Sequence, residues 1–341
     1  MFDPTARRRL GRTALSVTRF GFGTAPLAGF RTTIPERDAI ATVEAAYDAG
    51  VRLFDSSPYY GYGRAELRMG AALRDRARDD LVVSTKIGRW MTPVPRNTEI
   101  AGMRRGGLNF YPTFDYSYDG VRRSLDQSLL RLGMDRVDIV FVHDVDFWTT
   151  GDRLVLETRF SEVMNGAYRA LADLRSQGVI GAIGVGLNEA DMSARFVRAG
   201  DFDCVLLAGR YTLLEQRALD DFMPLCETRG VGVVIGGPLN SGVLATGARQ
   251  GAKYDYNDAP AWVMNRVARI EAVCARHDTP IAAAALQFPL AHPAVAAIIP
   301  GAVSREEMQG NFALLRRPIP AALWEELRTL GLLDPRAPVP A

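Results

Sequence analysis

The sequence predicts an α/β fold, one (β/α)8 TIM barrel with an N-terminal β-hairpin and long loops on its C-terminal face, and three observations predict it. Short apolar runs alternate with segments of helical spacing along most of the chain, the repetition that builds a parallel sheet. The runs are continuous and β-branched, as in Val137-Asp138-Ile139-Val140-Phe141-Val142 and Val231-Gly232-Val233-Val234-Ile235, which suits strands covered on both faces. No linker or low-complexity tract divides the 341 residues, a length that such barrels take as one domain, here 1–341.

Taken in order, residues 9–17 read as a hairpin across the barrel floor, turning at Gly11-Arg12-Thr13. Residues 20–24 form the first barrel strand, whose glycines leave room at the mouth. Its lone G-x-G is not a dinucleotide fingerprint, because no third glycine opens a helix. A helix over 36–49 carries Ile40, Val43, Ala46 and Tyr47 at helical spacing and stops at Gly50. A strand at 52–54 and a helix at 65–76 follow. Further strands fall at 81–85, 137–142, 179–185, 204–207, 231–235 and 295–299, with helices at 119–132, 161–177, 189–199, 215–228, 261–291 (a pair) and 304–315.

Three segments are too long for simple connections: 87–118 with Trp90, Phe110, Tyr111, Phe114 and Tyr116; 144–160 with Phe147 and Trp148; and 244–262 with Tyr254 and Tyr256. Each leaves a strand at its carboxyl end, so together they should wall a pocket. Trp90, Trp148 and His143 are the substrate-contact candidates.

Composition excludes several classes. With 48% apolar residues the core can be large, and a net charge of +2 with interspersed signs lacks the basic stripe of a nucleic-acid binder. Cys204, Cys226 and Cys274 contain no C-x-x-C spacing, so neither a disulfide framework nor a metal site is expected. No signal-peptide core follows Met1 and no apolar run approaches ~18 residues, so a cytoplasmic, soluble protein is expected. Oligomeric state is not legible.

Polar residues close successive apolar runs: Asp55 after Phe54, Lys86 after Thr85, and His143 after Val142, with Tyr60 in the Ser-Pro-Gly loop five residues beyond Asp55. Singly each has an ordinary explanation, Asp55 as a cap, Tyr60 as a loop aromatic, Lys86 as a solvated cation, His143 as a core histidine. In a parallel barrel, however, the carboxyl ends share one face, so the four converge.

On these residues the chain resembles the aldo-keto reductases, and the resemblance runs from about Leu10 to about Leu333. It implies hydride transfer between nicotinamide and a carbonyl or alcohol, with Asp55, Tyr60, Lys86 and His143 as the catalytic tetrad. Tyr60 would be acid or base, Lys86 would favour its phenolate, Asp55 would hold the ammonium, and His143 would donate to the substrate oxygen. A lowered Tyr60 pKa is therefore expected.

The resemblance also assigns cofactor contacts. Thr24 and Asp55 would line the nicotinamide site and Asn188 would hold the carboxamide. Pro238, Leu239, Ser241, Gly242 and Leu244 belong to a Gly-rich loop that would close on the pyrophosphate. Gly301, Ala302, Val303 and Asn311 would meet the adenosine. NADP-gripping members place a Lys where this chain has Gly301 and an Arg where it has Glu307, so NAD is expected over NADP, with Arg305 as the opposing feature. Ala208 and Gly236 stand where the family often has a Gln and a stacking aromatic. Segments 9–13, 54–61 and 115–121 resemble bacterial L-fucose or D-threo-aldose 1-dehydrogenases and pyridoxal 4-dehydrogenase, which implies oxidation of a cyclic hemiacetal to a lactone. An NADPH-dependent carbonyl reductase and a nicotinamide-binding regulatory subunit are the alternatives.

Overall fold

A computed structural model describes residues 2–29, 33–96, 98–100 and 106–340. A short antiparallel hairpin, β1 (Arg7–Arg9) and β2 (Ser16–Thr18), comes first. The barrel strands are β3 (Phe22–Gly23), β4 (Leu53–Asp55), β5 (Val82–Ile87), β8 (Ile139–His143), β9 (Ala182–Leu187), β10 (Cys204–Ala208), β11 (Gly232–Gly236) and β14 (Val295–Ile299). Two more hairpins rise from the loops, β6 (Arg89–Pro93) with β7 (Phe110–Phe114), and β12 (Lys253–Tyr254) with β13 (Asn257–Asp258). The helices are α1 (Glu36–Asp48), α2 (Arg64–Leu73), α3 (Tyr118–Leu132), α4 (Phe147–Thr150), α5 (Arg153–Glu162), α6 (Tyr168–Ser176), α7 (Ala190–Ala199), α8 (Phe222–Arg229), α9 (Val243–Thr246), α10 (Ala261–Arg276), α11 (Ile281–Gln287), α12 (Arg305–Arg316) and α13 (Ala321–Thr329).

Among the described residues the eight barrel strands pair in parallel in the order β14-β11-β10-β9-β8-β5-β4-β3. Parallel bridges Phe20 to Ile298 and Gly23 to Gly301 close the seam. The first strand is shorter than expected, residues 20 and 21 joining β14 through single bridges, and its glycines allow that close approach: a Cβ at Gly21 would meet Ile299 Cγ2 at 2.8 Å.

Side chains alternate across each strand. Leu53, Val82, Ile139, Phe141, Ala182, Cys204, Leu206, Val234, Ala297 and Ile299 fill the barrel, with Leu10 and Val17 of the N-terminal hairpin packed beneath them. The hairpin therefore plugs the floor, as its sequence predicts. Asp55 shares the inward parity of Leu53, Lys86 that of Val82, and His143 that of Ile139 and Phe141. Their side chains are the uppermost layer of the same interior stack.

Several boundaries move. The helix expected over 65–76 ends at Leu73. The one expected over 161–177 begins at Arg153 and runs through a π-turn at Val163–Ala167, where a Cβ at Gly166 would strike Tyr116 O at 2.6 Å. Only α8 and a 3-10 turn occupy 215–228. Helix α13, which buries Trp324, went unpredicted. The described residues of the three long segments form elements of their own: those of 87–118 and 244–262 carry the two extra hairpins, and 144–160 carries α4 and the start of α5. The three cysteines are buried and free. No helix among the described residues is long and apolar enough to cross a membrane.

Candidate active site

Asp55 ends β4 and lies opposite Ser84 on β5, so Lys86 stands one inward position higher. Lys86 Nζ donates to Asp55 Oδ2 at 2.6 Å and to the Ser56 carbonyl at 2.8 Å. Ser84 Oγ donates to the other carboxylate oxygen at 2.7 Å. Burial pushes the Asp55 carboxyl up, while Lys86 and Ser84 pull it back. The ammonium lies 4.7 Å from the centre of the Tyr60 ring.

Tyr60 is reached by a tight turn, its N–H donating to the Ser57 carbonyl at 3.1 Å. Its ring stands edge-on to His143 with centroids 5.8 Å apart. The expected lowering of the phenol is not found: burial, then the Asp55 carboxylate, raise Tyr60 well above its ordinary value. The reason is first that the ring is buried, which disfavours the phenolate, and then that the Asp55 carboxylate which holds Lys86 acts against it as well.

His143 is fixed from both sides. Ser57 Oγ lies 3.2 Å from Nδ1 and an Asp144 carboxylate oxygen 3.3 Å from Nε2. Ser57 Oγ already accepts from the Tyr59 N–H at 3.1 Å, which turns its own hydrogen toward Nδ1 and assigns the imidazole hydrogen to Nε2. Burial, then the Lys86 and Arg89 charges, hold the imidazole well below its ordinary pKa. It is a neutral donor facing the cleft.

That cleft encloses about 810 Å³, part of it open to solvent, and is lined by Tyr60, Lys86, His143, Asp144, Trp148 and Asn188 among others. Its far wall is Gly186, Leu206 and Ala208 at the ends of β9 and β10, and Tyr256 from the β12–β13 turn faces Trp148 at 6.2 Å between ring centroids. Asn188 is held by its N–H and side chain on Asp146 Oδ2, at 2.6 and 3.0 Å.

Three expected contacts do not line the cleft. Thr24 is fully buried and its hydroxyl is spent on the Asp55 carbonyl and Ser56 Oγ, each at 2.9 Å, so it braces the turn from one layer behind. Asp55 likewise stands behind Lys86 and not at the cleft surface. Trp90 is also absent from the cleft lining. It alternates with buried Arg89 and Met91 on β6, and its ring takes the Arg123 guanidinium at 4.7 Å.

The remaining cofactor candidates gather at the ends of β11 and β14, which pair. Residues 237–242 include four left-handed positions, Gly237, Asn240, Ser241 and Gly242, and a Cβ at Gly242 would meet nothing within 4 Å. Such exposed, glycine-containing backbone fits close approach of a phosphate. Nearby, Asn240 Oδ1 is buried without a protein partner, a second feature that fits a ligand able to donate. Leu244 is fully buried and Ala302 nearly so, whereas Val303 is exposed and Asn311 lies on the first turns of α12 with little exposure.

At that helix start Ser304 Oγ accepts from Glu307 N at 3.2 Å and Glu307 Oε2 accepts from Val303 N at 2.8 Å. This is a variant of the capping box, with the return bond taken from the residue before the Ser304 cap. Gly301 is required by packing, since a Cβ there would lie 2.5 Å from the Pro26 ring.

Residues 19–331 match the Aldo/keto reductase family. The chain belongs to that family. It is 43% identical over 337 residues to a pyridoxal 4-dehydrogenase of Microbacterium luteolum, covering 96% of this chain and 98% of that one. It is 36% identical over 330 residues to a D-threo-aldose 1-dehydrogenase of a Pseudomonas species, covering 94% and 95%. A holo aldo-keto reductase of Bacillus halodurans superposes with a TM-score of 0.73 over 96% of each chain at 22% identity, a likeness of fold. This aldo/keto reductase is thus an NAD(P)-dependent oxidoreductase with a (β/α)8 barrel.

Asp144, Arg89 and Ser57 are residues of this reductase's site to which sequence reasoning gave no role, whereas Tyr256 lies in a segment expected to wall the pocket and does line it. Asp144 adjoins His143, which was a usable signal. Arg89 had none, because its partner is 55 positions away.

Proposed function

We propose that this reductase oxidises a cyclic hemiacetal, an aldose such as L-fucose or D-arabinose or else pyridoxal, to a lactone, passing hydride to NAD. The single observation that carries the reading is the convergence of Tyr60, Lys86 and His143 on one cleft, with Asp55 buried behind Lys86. The names of two relatives, a pyridoxal 4-dehydrogenase and an aldose 1-dehydrogenase, support the substrate class.

His143 Nε2–H holds the hemiacetal hydroxyl oxygen, fixing the anomeric C–H toward the ring face. The anomeric hydrogen leaves carbon with its electron pair, and the hydroxyl proton passes to Tyr60 Oη. The bound nicotinamide supplies the hydride acceptor and, when oxidised, a positive charge. Lys86, its donors directed to Asp55 and Ser56, keeps its ammonium against the Tyr60 ring. Asn188 at the end of β9 holds the carboxamide. The Gly-rich loop containing Pro238, Leu239, Ser241 and Gly242 receives the pyrophosphate, and the segment at Gly301, Val303 and Asn311 receives the adenosine.

NAD is favoured over NADP because the Glu307 carboxylate occupies the start of α12, where it would repel a 2′-phosphate and suit a ribose diol.

A second reading, reduction of aldehydes or ketones with NADPH, is favoured by one feature. The Tyr60 phenol, raised by burial and Asp55, is a ready proton donor. Growth of reduced-nicotinamide absorbance with NAD or NADP and L-fucose, D-arabinose or pyridoxal separates the two. Growth with any of the three supports the dehydrogenase, and silence with all three alongside NADPH consumption on simple aldehydes supports the reductase. Tight cofactor binding without turnover of any carbonyl or hemiacetal would point to a regulatory subunit.

A further inference from the structure

Asp144 is the charged group of the cleft that the hydride-transfer scheme leaves without a role. It follows His143 at the end of β8, with φ 56° in the left-handed region, where Asp is one of the few side chains tolerated. The conformation turns the carboxylate back over the strand end beside His143 and into the cleft lining. Oδ2 is fixed by Arg89 Nη1 at 2.9 Å. Arg89 is itself buried, lying over the rings of Tyr59 and Phe114 at 4.2 and 4.3 Å.

The other oxygen, Oδ1, is held loosely. Its one hydrogen bond among the described residues is the long one from Asn188 Nδ2 at 3.4 Å, and His143 Nε2 lies beside it at 3.3 Å without donating to it. A carboxylate oxygen accepts two good hydrogen bonds near 2.8 Å when they are available, so about one position on Oδ1 is open to a stronger donor.

We propose that Asp144 Oδ1 accepts a hydrogen bond from a substrate hydroxyl borne next to the reacting carbon, and so selects hydroxyl-flanked substrates over their deoxy counterparts. The inference rests on the reading above that His143 Nε2–H holds the reacting oxygen. Oδ1 lies 3.3 Å from that nitrogen, so an oxygen held by the N–H has Oδ1 as its neighbour. A hydroxyl on the adjacent carbon lies beside the reacting oxygen and can point its hydrogen at Oδ1. An aldose carries that group at C2.

A hydrogen bond to an ionised acceptor should favour the hydroxylated substrate roughly 10- to 100-fold in kcat/KM. The measurement is kcat/KM for an aldose against its 2-deoxy form, in the wild type and in Asp144→Asn. Asparagine tolerates the left-handed backbone, and with its oxygen kept by Arg89 it would present an amide donor to the substrate in place of an acceptor. The expected result is a wild-type preference of at least about 10-fold that falls toward unity in Asp144→Asn, chiefly by loss on the hydroxylated substrate. Equal wild-type rates on both sugars would overturn the proposal, as would a variant that loses both equally, which would make Asp144 only a brace for His143.

If no hemiacetal is oxidised, the dehydrogenase reading fails by itself. The same comparison then runs in reduction, glyceraldehyde against propanal, with the same deciding outcomes. Should Asp144→Asn not fold, Asp144→Asn with Arg89→Met removes both buried charges together and carries the same comparison.

Discussion

The two ends of the barrel both bury charge, and they do so in different ways. At the floor, Asp203 accepts from Arg175 at 2.7 Å and from the Ile183 N–H at 2.9 Å, while Arg19 gives two hydrogen bonds to the Val295 and Ala296 carbonyls. These groups tie one strand or helix to the next and take no part in lining the cleft. At the mouth, Lys86, His143 and Asp144 are held on one side and turned to the cleft on the other. The lesson is that buried charge marks a site only where part of its hydrogen-bonding capacity is left toward open space.

The comparison predicts opposite signatures for mutations at the two ends. The largest effect should come from Tyr60→Phe, with kcat reduced about 10²- to 10⁴-fold and cofactor binding, followed by fluorescence titration, little changed. Turnover within tenfold of wild type would break the assignment of Tyr60.

Next in size is the pH dependence. Because Tyr60 is raised well above its ordinary value by burial and Asp55, the phenol stays protonated through the neutral range. Oxidation, which needs it to accept a proton, should accelerate roughly in proportion to hydroxide between about pH 7 and pH 10. Reduction, which uses the protonated form, should be flat there. An oxidation rate already level at pH 7 would show that the bound cofactor's charge lowers the phenol, reversing the order found in its absence.

At the floor, Asp203→Ala should destabilise by about 2 kcal/mol, from the lost charge-assisted hydrogen bonds, with kcat/KM unchanged. A matching loss of activity would mean that floor and mouth are coupled.

The smallest effect expected is that of Glu307→Arg. It should move the NADP to NAD ratio of kcat/KM upward about tenfold and cost about 1 kcal/mol through the lost capping box. No change in preference would place the 2′-position of the ribose elsewhere. Gly301→Lys is unsuited to the same purpose, because its Cβ would collide with Pro26.

Much of this was legible in the chain because barrel strands are local. Apolar runs that end in Asp55, Lys86 and His143 put those residues at one face whatever else the fold does, and the spacing of Ile40, Val43 and Ala46 marks α1 without its partner. The hairpin at the floor followed from its position and turn residues. Substrate residues fared less well. Trp90 was chosen as a loop aromatic, but 87–118 forms a hairpin whose alternation sends Trp90 to the Arg123 side and Arg89 inward.

By itself, then, the sequence determined the order of the eight barrel strands and of most of the helices between them, and so the shared face that carries Asp55, Lys86 and His143, because these depend on neighbours one to four positions apart. Only the tertiary structure decided the Arg89–Asp144 pair, the hydrogen on His143 Nε2, the raised Tyr60 phenol, the burial of Thr24 and the Pro26 contact that requires Gly301. Each of these depends on groups brought together from distant positions, where distance and solvent exclusion, which no local pattern encodes, set the energy.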